Sequence, residues 1–322
     1  MSSTGAREFE GSSITIFQPP TEVDKTLDTG FVWLTRIFAL GIAFLLLLIA
    51  LQVASQALPA MQAFGLGFIF QSAWNPVTNQ FGVLPQIYGT LVTSFIALLI
   101  AVPVGVGTAV ILSENFLPMK VRTILVFLVE LLAAIPSVVY GIWGIFVVIP
   151  LLRETLGTWL NSWFGWFPLF STPLTGPGIL PASLVLSIMI LPIITAISRD
   201  ALTSLPPDLR QASLGLGATR WETILQVLIP AAISGIVGGV MLALGRAMGE
   251  TMAITMLIGN ANTINVSLLA PGNTIASLLA SQFAEASGLQ VSALLYAALV
   301  LFVLTLIVNI LADLIVQRVK RI

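Results

Sequence analysis

The chain has 322 residues, 57% of them hydrophobic and 8% charged, with a net charge of −1 and neither cysteine nor histidine. A soluble domain carries about 25% charged residues, so this composition, with a mean hydropathy of +1.03, is that of an integral membrane protein. It excludes disulfides, thiol nucleophiles and thiolate or imidazole metal sites, removes the usual proton switch near neutral pH, and offers no basic excess for nucleic acid.

Residues 1–30 are polar and acidic (Glu8, Glu10, Glu22, Asp24, Asp28) and read as a cytoplasmic tail. No positive n-region precedes an apolar core there, so no cleavable signal peptide is expected. Residues 31–322 read as one all-α, polytopic membrane domain. About six spans approach or exceed the ~20 residues a bilayer needs, over roughly 32–58, 87–113, 121–150, 180–198, 229–258 and 289–316. Several contain Pro or Gly, which membrane helices tolerate when neighbours satisfy the freed backbone groups.

Loop charge sets the expected sidedness. Loop 59–86 has no charged residue, loop 259–288 has only Glu285, and loop 151–180 has one cation, Arg153. The other side holds Arg7, Lys25, Arg36, Lys120, Arg122, Arg199, Arg210, Arg220, Arg318, Lys320 and Arg321. The positive-inside rule places both termini in the cytoplasm. The other loops are rich in Trp, Phe, Pro and Asn (SAWNPVTNQFG, WFGWFPLFSTP) and are expected along the outer membrane–water interface.

The most charged loop, 199–230, contains SLPPDLRQASLGLGATRWETILQVLIP at 204–230. Pro206, Pro207 and Asp208 suit a first helical turn. Leu209, Ala212, Leu214 and Leu216 give a small, partly apolar helix, and Gly217 is a C-terminal stop. Thr219 and Glu222 have capping-box spacing for a second helix running toward Pro230. By local physics alone this is equally an ordinary amphipathic connector. Its spacing resembles the permease signature of binding-protein-dependent ABC importers: Glu-Ala-Ala, three residues, Gly, nine residues, Ile-x-Leu-Pro. Here Gln211-Ala212-Ser213, Gly217 and Val227-x-Ile229-Pro230 stand at those offsets, with Gln211 in place of the Glu. The resemblance implies a coupling helix, carried by Gln211, Ala212, Ser213, Gly217 and Pro230, that docks on a separate ATPase. The chain has no G-x-x-x-x-G-K-[ST] phosphate loop, so ATP hydrolysis falls to a partner and the chain is expected not to be an enzyme.

Residues 244–251, LGRAMGET, place Arg246 and Glu250 inside a long apolar run. An unpaired charge at the bilayer centre costs at least ~2.5–3.5 kcal/mol. Read as one helix, the two residues share a face and reach each other, amid the small residues Gly245, Ala247 and Gly249. One reading is a salt bridge that locks helices. The other is a transient anion site, because the Arg fork matches phosphate oxygens and Glu250 supplies a competing partner that keeps binding weak enough for release.

GRAMGETMAI at 245–254, ELLAAIPSVVYGIWG at 130–144, WNPVTNQFG at 74–82 and the LPQIYGTLVTS that follows resemble the C-type permease family of phosphate-specific ABC importers, PstC. The resemblance covers residues 30–322. It implies a permease subunit of an ATP-driven phosphate importer in the bacterial inner membrane, with Arg246 and Glu250 on the substrate path. The implied partners are a second permease (PstA-like), a cytoplasmic ATPase dimer (PstB-like), an extracytoplasmic phosphate-binding protein (PstS-like) and membrane lipid. No cofactor is expected. Alternative readings are a passive anion channel or proton-coupled carrier, and an ABC permease for sulfate or molybdate. Four further features are weighed. Glu130 pairs with Arg122 or with a cation of another subunit, and Asp313 with Arg318. Asn260, Asn262 and Thr263 form a polar turn or hand solute on at the outer mouth. Ser137 and Tyr140 flank Pro136 beside a cavity.

Overall fold

The computed structural model describes residues 22–114 and 116–319, with the side chains of Asp24 and of residues 315–319 outside the description. The expectations on Arg7, Glu8, Glu10, Lys320 and Arg321, on most of the tail, and on the side chains of Asp24 and Arg318 therefore lie outside the described residues.

Eleven helices are used below: α1 (Glu22–Phe64), α2 (Gly67–Phe70), α3 (Leu84–Ser113), α4 (Met119–Ala134), α5 (Ser137–Phe164), α6 (Ile179–Thr203), α7 (Pro207–Gly215), α8 (Arg220–Gly249), α9 (Met252–Leu257), α10 (Ile275–Gln282) and α11 (Leu289–Val319). Six are long and apolar enough to cross a membrane: α3, α5, α6, α8, the Lys25–Phe64 stretch of α1 and the Leu289–Leu314 stretch of α11. By packing, the chain divides between Gln52 and Val53. In the first unit Lys25 bridges Glu22 at 2.9 Å and the Arg36 guanidinium lies 5.7 Å from the Trp33 ring centre.

In the second unit, α6 is the axis. Its sequence is apolar on most sides, as a largely surrounded helix requires, and most of it is buried. Both α3 and α8 pack along it. Ile190 and Ile194 of α6 share one buried core with Ala97 and Ala101 of α3 and Ala243 and Ala247 of α8. These small side chains let the backbones approach closely. Thr195 Oγ1 donates across the α3–α6 contact to Gly105 O at 3.3 Å.

The third span differs from expectation. Instead of one helix over 121–150, α4 ends at Ala134 and α5 restarts at Ser137. Ile135 is extended (φ −68°, ψ 127°), the conformation favoured before proline, and Pro136 has no N–H to continue the ladder. Tyr140 Oη donates to Leu132 O at 2.9 Å, satisfying a carbonyl the break frees. The apolar crossing is therefore α5, which extends to Phe164 through two wider π-helical turns. Glu130 is exposed on α4 and makes no ion pair with Arg122 among the described residues. The two are eight residues apart on one helix, ~12 Å of rise, which side chains do not bridge.

The loops are built more tightly than their composition suggests. Trp74–Asn75 and Gln80–Phe81 form a short antiparallel hairpin, with Trp74 opposite Phe81. The Asn75 side chain accepts from the N–H groups of Val77 and Thr78. Trp74 Nε1 donates to Gln282 of α10 at 2.7 Å. Near this end, Asn262 Oδ1 accepts from Gln86 Nε2 and from Asn273 Nδ2, both at 2.8 Å. Ser277 Oγ is 2.7 Å from both Asn260 Oδ1 and Asn273 Oδ1. Asn260 and Asn262 are thus engaged in stapling α3, α10 and the segment between α9 and α10. Gly89 completes the staple, because a Cβ there would fall 1.9 Å from Asn273 O.

Candidate functional site: a coupling loop and a broken charged helix

The loop after α6 folds as its local chemistry dictates. α7 starts with Pro207 in its first turn and Asp208 beside it. It closes on Gly217, whose φ of +90° suits glycine, with Gly217 N donating to Leu214 O and Ala218 N to Ser213 O. Thr219 and Glu222 form the expected reciprocal capping box: Glu222 N donates to Thr219 Oγ1 at 3.3 Å, and Thr219 N to Glu222 Oε2 at 2.7 Å. Gln211, Ala212, Leu214 and Leu216 are exposed, Leu216 by 90%. Ser213 is buried and its hydroxyl is 2.9 Å from that of Thr223. Pro230 does not begin a new helix. It lies within α8, which starts ten residues earlier at Arg220 and widens to a π-helical stretch at Thr223–Leu228, where the missing proline N–H is accommodated.

At its other end, α8 stops at Gly249. Glu250 has φ −66° and ψ 124°, and α9 restarts at Met252. The expectation of one helix over 229–258, with Arg246 and Glu250 on a shared face, is therefore corrected. Among the described residues, no ion pair joins them. Glu250 Oε1 instead accepts from Ala253 N at 3.4 Å, in the first turn of α9. Thr251 Oγ1 donates to Gly249 O at 3.0 Å. Arg246 lies in the last turn of α8, where the helix dipole favours a cation. Its side chain is exposed. Ser234, Gly238, Leu242 and Arg246, four residues apart in turn, form one exposed stripe on α8. Irregular backbone at membrane depth is tolerated where it is covered by protein or lines an aqueous cavity, and transporters place such breaks at their solute sites.

Sequence reasoning missed a second polar node. Arg210 of α7 contacts Glu114 at the end of α3, Nη2 to Oε1 at 2.9 Å and Nε to Oε1 at 3.0 Å. A cavity of about 230 Å³ adjoins it, lined by Glu114, Phe116, Arg210, Leu214, Arg220, Thr223 and Ile224. The two partners are 96 residues apart, and no local spacing announces them.

The family described as binding-protein-dependent transport system inner membrane component matches residues 101–321. The phosphate transport system permease protein PstC of Pasteurella multocida is 43% identical over 89% of this chain and 91% of its own. That of Mesorhizobium japonicum is 44% identical over 91% and 90%, and a probable PstC of Methanocaldococcus jannaschii is 36% identical over 79% and 82%. Among solved structures, a bacterial ABC transporter involved in import of the acidic polysaccharide alginate aligns over 93% of this chain and 100% of its own, with a TM-score of 0.59 and 18% identity. An inward-facing MetNI methionine ABC transporter aligns over 74% and 94%, with a TM-score of 0.53 and 22% identity. At such identities these structures share the fold alone, that of ABC importer permeases. The chain therefore belongs to the binding-protein-dependent transport system inner membrane components, as a multi-pass member of the PstC family.

Proposed function

We propose that this chain is the permease subunit of an ATP-driven phosphate importer and forms part of the phosphate path. It is a transport component and not an enzyme. The supporting observation is the likeness to phosphate permeases, which runs along about nine-tenths of the chain. Both termini face the cytoplasm, as the loop charges require, so α7 faces the ATPase. A binding protein like PstS delivers phosphate from outside. A second permease like PstA completes the path, covering the exposed α8 stripe. A PstB-like ATPase dimer docks on the exposed face of α7, where Gln211, Ala212, Leu214 and Leu216 are presented, and Gly217 and the capping box fix the bend that presents them. Ser213 ties the coupling helix to α8, and Pro230 lies in the helix that carries the motion onward.

Arg246 receives the anion through its planar donor fork. With Glu250 turned to the Ala253 N–H, that fork is available. Approach of the Glu250 carboxylate would displace the anion and keep binding weak enough for conduction. The break at 250–251 supplies the joint for this exchange.

The solute is tested by labelled-phosphate uptake in cells lacking their own high-affinity importer, supplied with this chain and its three partners. Uptake is expected to be restored and to withstand excess unlabelled sulfate or molybdate. Uptake that either oxyanion suppresses would assign the chain to that oxyanion instead.

A further inference from the structure

Arg210 joins more than one partner. Beyond Glu114, its Nη2 donates to Leu202 O at 2.8 Å, in the last turn of α6, and its Nη1 to Leu205 O at 3.4 Å just beyond. One guanidinium thus holds the coupling helix α7 to the ends of both α3 and α6, the two helices packed along each other at the centre of the fold. Both ends carry the negative pole of a helix dipole, which favours a cation there, and Glu114 adds a full charge. The site is sheltered: the side chains of Arg210 and Glu114 are only 23% and 17% exposed. Among the described residues, no other side chain of α7 hydrogen-bonds to α3 or α6. The adjoining cavity is lined by Leu214 of α7 and Ile224 of α8, so apolar packing beside the clamp is incomplete.

We propose that Arg210 is the positioning residue that transmits movement of α7 to the α3–α6 pair, with Glu114 as its anchor. This rests on the reading of α7 as the ATPase-docking helix. With the clamp intact, displacing α7 drags both core helices as one body. Without it, α7 keeps its Ser213 tie to α8 but loses its hold on the ends of α3 and α6, and ATP is consumed without moving the path. Lysine keeps the charge but cannot supply the three-nitrogen fork.

The test uses the complete transporter in liposomes with the binding protein, measuring ATP hydrolysed and phosphate carried. Arg210→Gln is expected to keep hydrolysing ATP while phosphate carried per ATP falls about tenfold, in the range of ordinary coupling between sites. Arg210→Lys should fall less, by about threefold on the same scale. A residue that only stabilises the fold would lower hydrolysis and transport together, so an unchanged ratio in Arg210→Gln overturns the proposal. If Arg210→Gln does not insert, Arg210→Lys is read alone, and a wild-type ratio there is equally fatal. Leu216→Glu separates the underlying reading. If it strips the ATPase while Arg210→Gln keeps a wild-type ratio, docking on α7 stands and the clamp falls. If it leaves assembly and transport intact, docking on α7 itself fails.

Discussion

Arg246→Gln is expected to reach wild-type levels in the membrane and to lower phosphate uptake by about 10- to 100-fold, the equivalent of the ~1.5–3 kcal/mol carried by a hydrogen bond to a charged group. Folding should survive because the side chain is exposed and makes no ion pair among the described residues. Its loss leaves no buried partner without a counter-charge. The helix loses only a favourable cation in its last turn, worth about 0.3–1 kcal/mol. What disappears is the one fixed positive charge that LGRAMGET places inside the apolar run. Uptake at wild-type rate and affinity, with normal insertion, would mean that Arg246 serves the packing of subunits and that selectivity lies elsewhere.

Leu216→Glu is expected to weaken retention of the ATPase by the permease by about 10- to 100-fold, which corresponds to removing a buried leucine worth ~1.5–3 kcal/mol from an interface. Leu216 is 90% exposed, next to the Gly217 bend, so the isolated chain gains nothing from its apolar side chain. Its exposure just past the end of α7 fits a surface that another protein covers. Co-purification of ATPase subunits with the mutant permease is the readout, with labelled-phosphate uptake falling alongside it.

Much of this was legible because it is local. The Thr219–Glu222 capping box and the Gly217 stop are set by residues within a few positions of each other, and both form as expected. The number of spans follows from apolar length alone, while the third runs over Ser137–Phe164 and the fifth over Arg220–Gly249 instead of 121–150 and 229–258. The two helix breaks were not legible, because a proline in the sequence does not by itself mark a break. Pro103 and Pro192 stay inside α3 and α6, whereas Pro136 separates α4 from α5. The break at Glu250 has no proline at all. There the unwound residues are held by tertiary packing: α9 lies against α5 so closely that a Cβ on Gly141 would fall 2.6 Å from Met256 Sδ. The Glu250 carboxylate supports the first turn of α9. A sequence window sees neither contact. The Gln86–Asn262–Asn273 staple and the Arg210–Glu114 clamp were hidden for the same reason, each joining residues far apart in the chain. The family resemblance pointed to Arg246 and Glu250 as candidates, while only the structure places Arg246 in the last turn of α8 and Glu250 in the break after it.

The central claim is that phosphate crosses this chain at the expense of ATP hydrolysed by a partner. The most direct test is phosphate uptake by liposomes containing the complete transporter and its binding protein, with ionophores collapsing the membrane potential and the pH gradient. Uptake that requires ATP and ignores the ionophores is the predicted result. Uptake that proceeds without ATP, or stops when the gradients collapse, would make the chain a channel or a proton-coupled carrier and contradict the account.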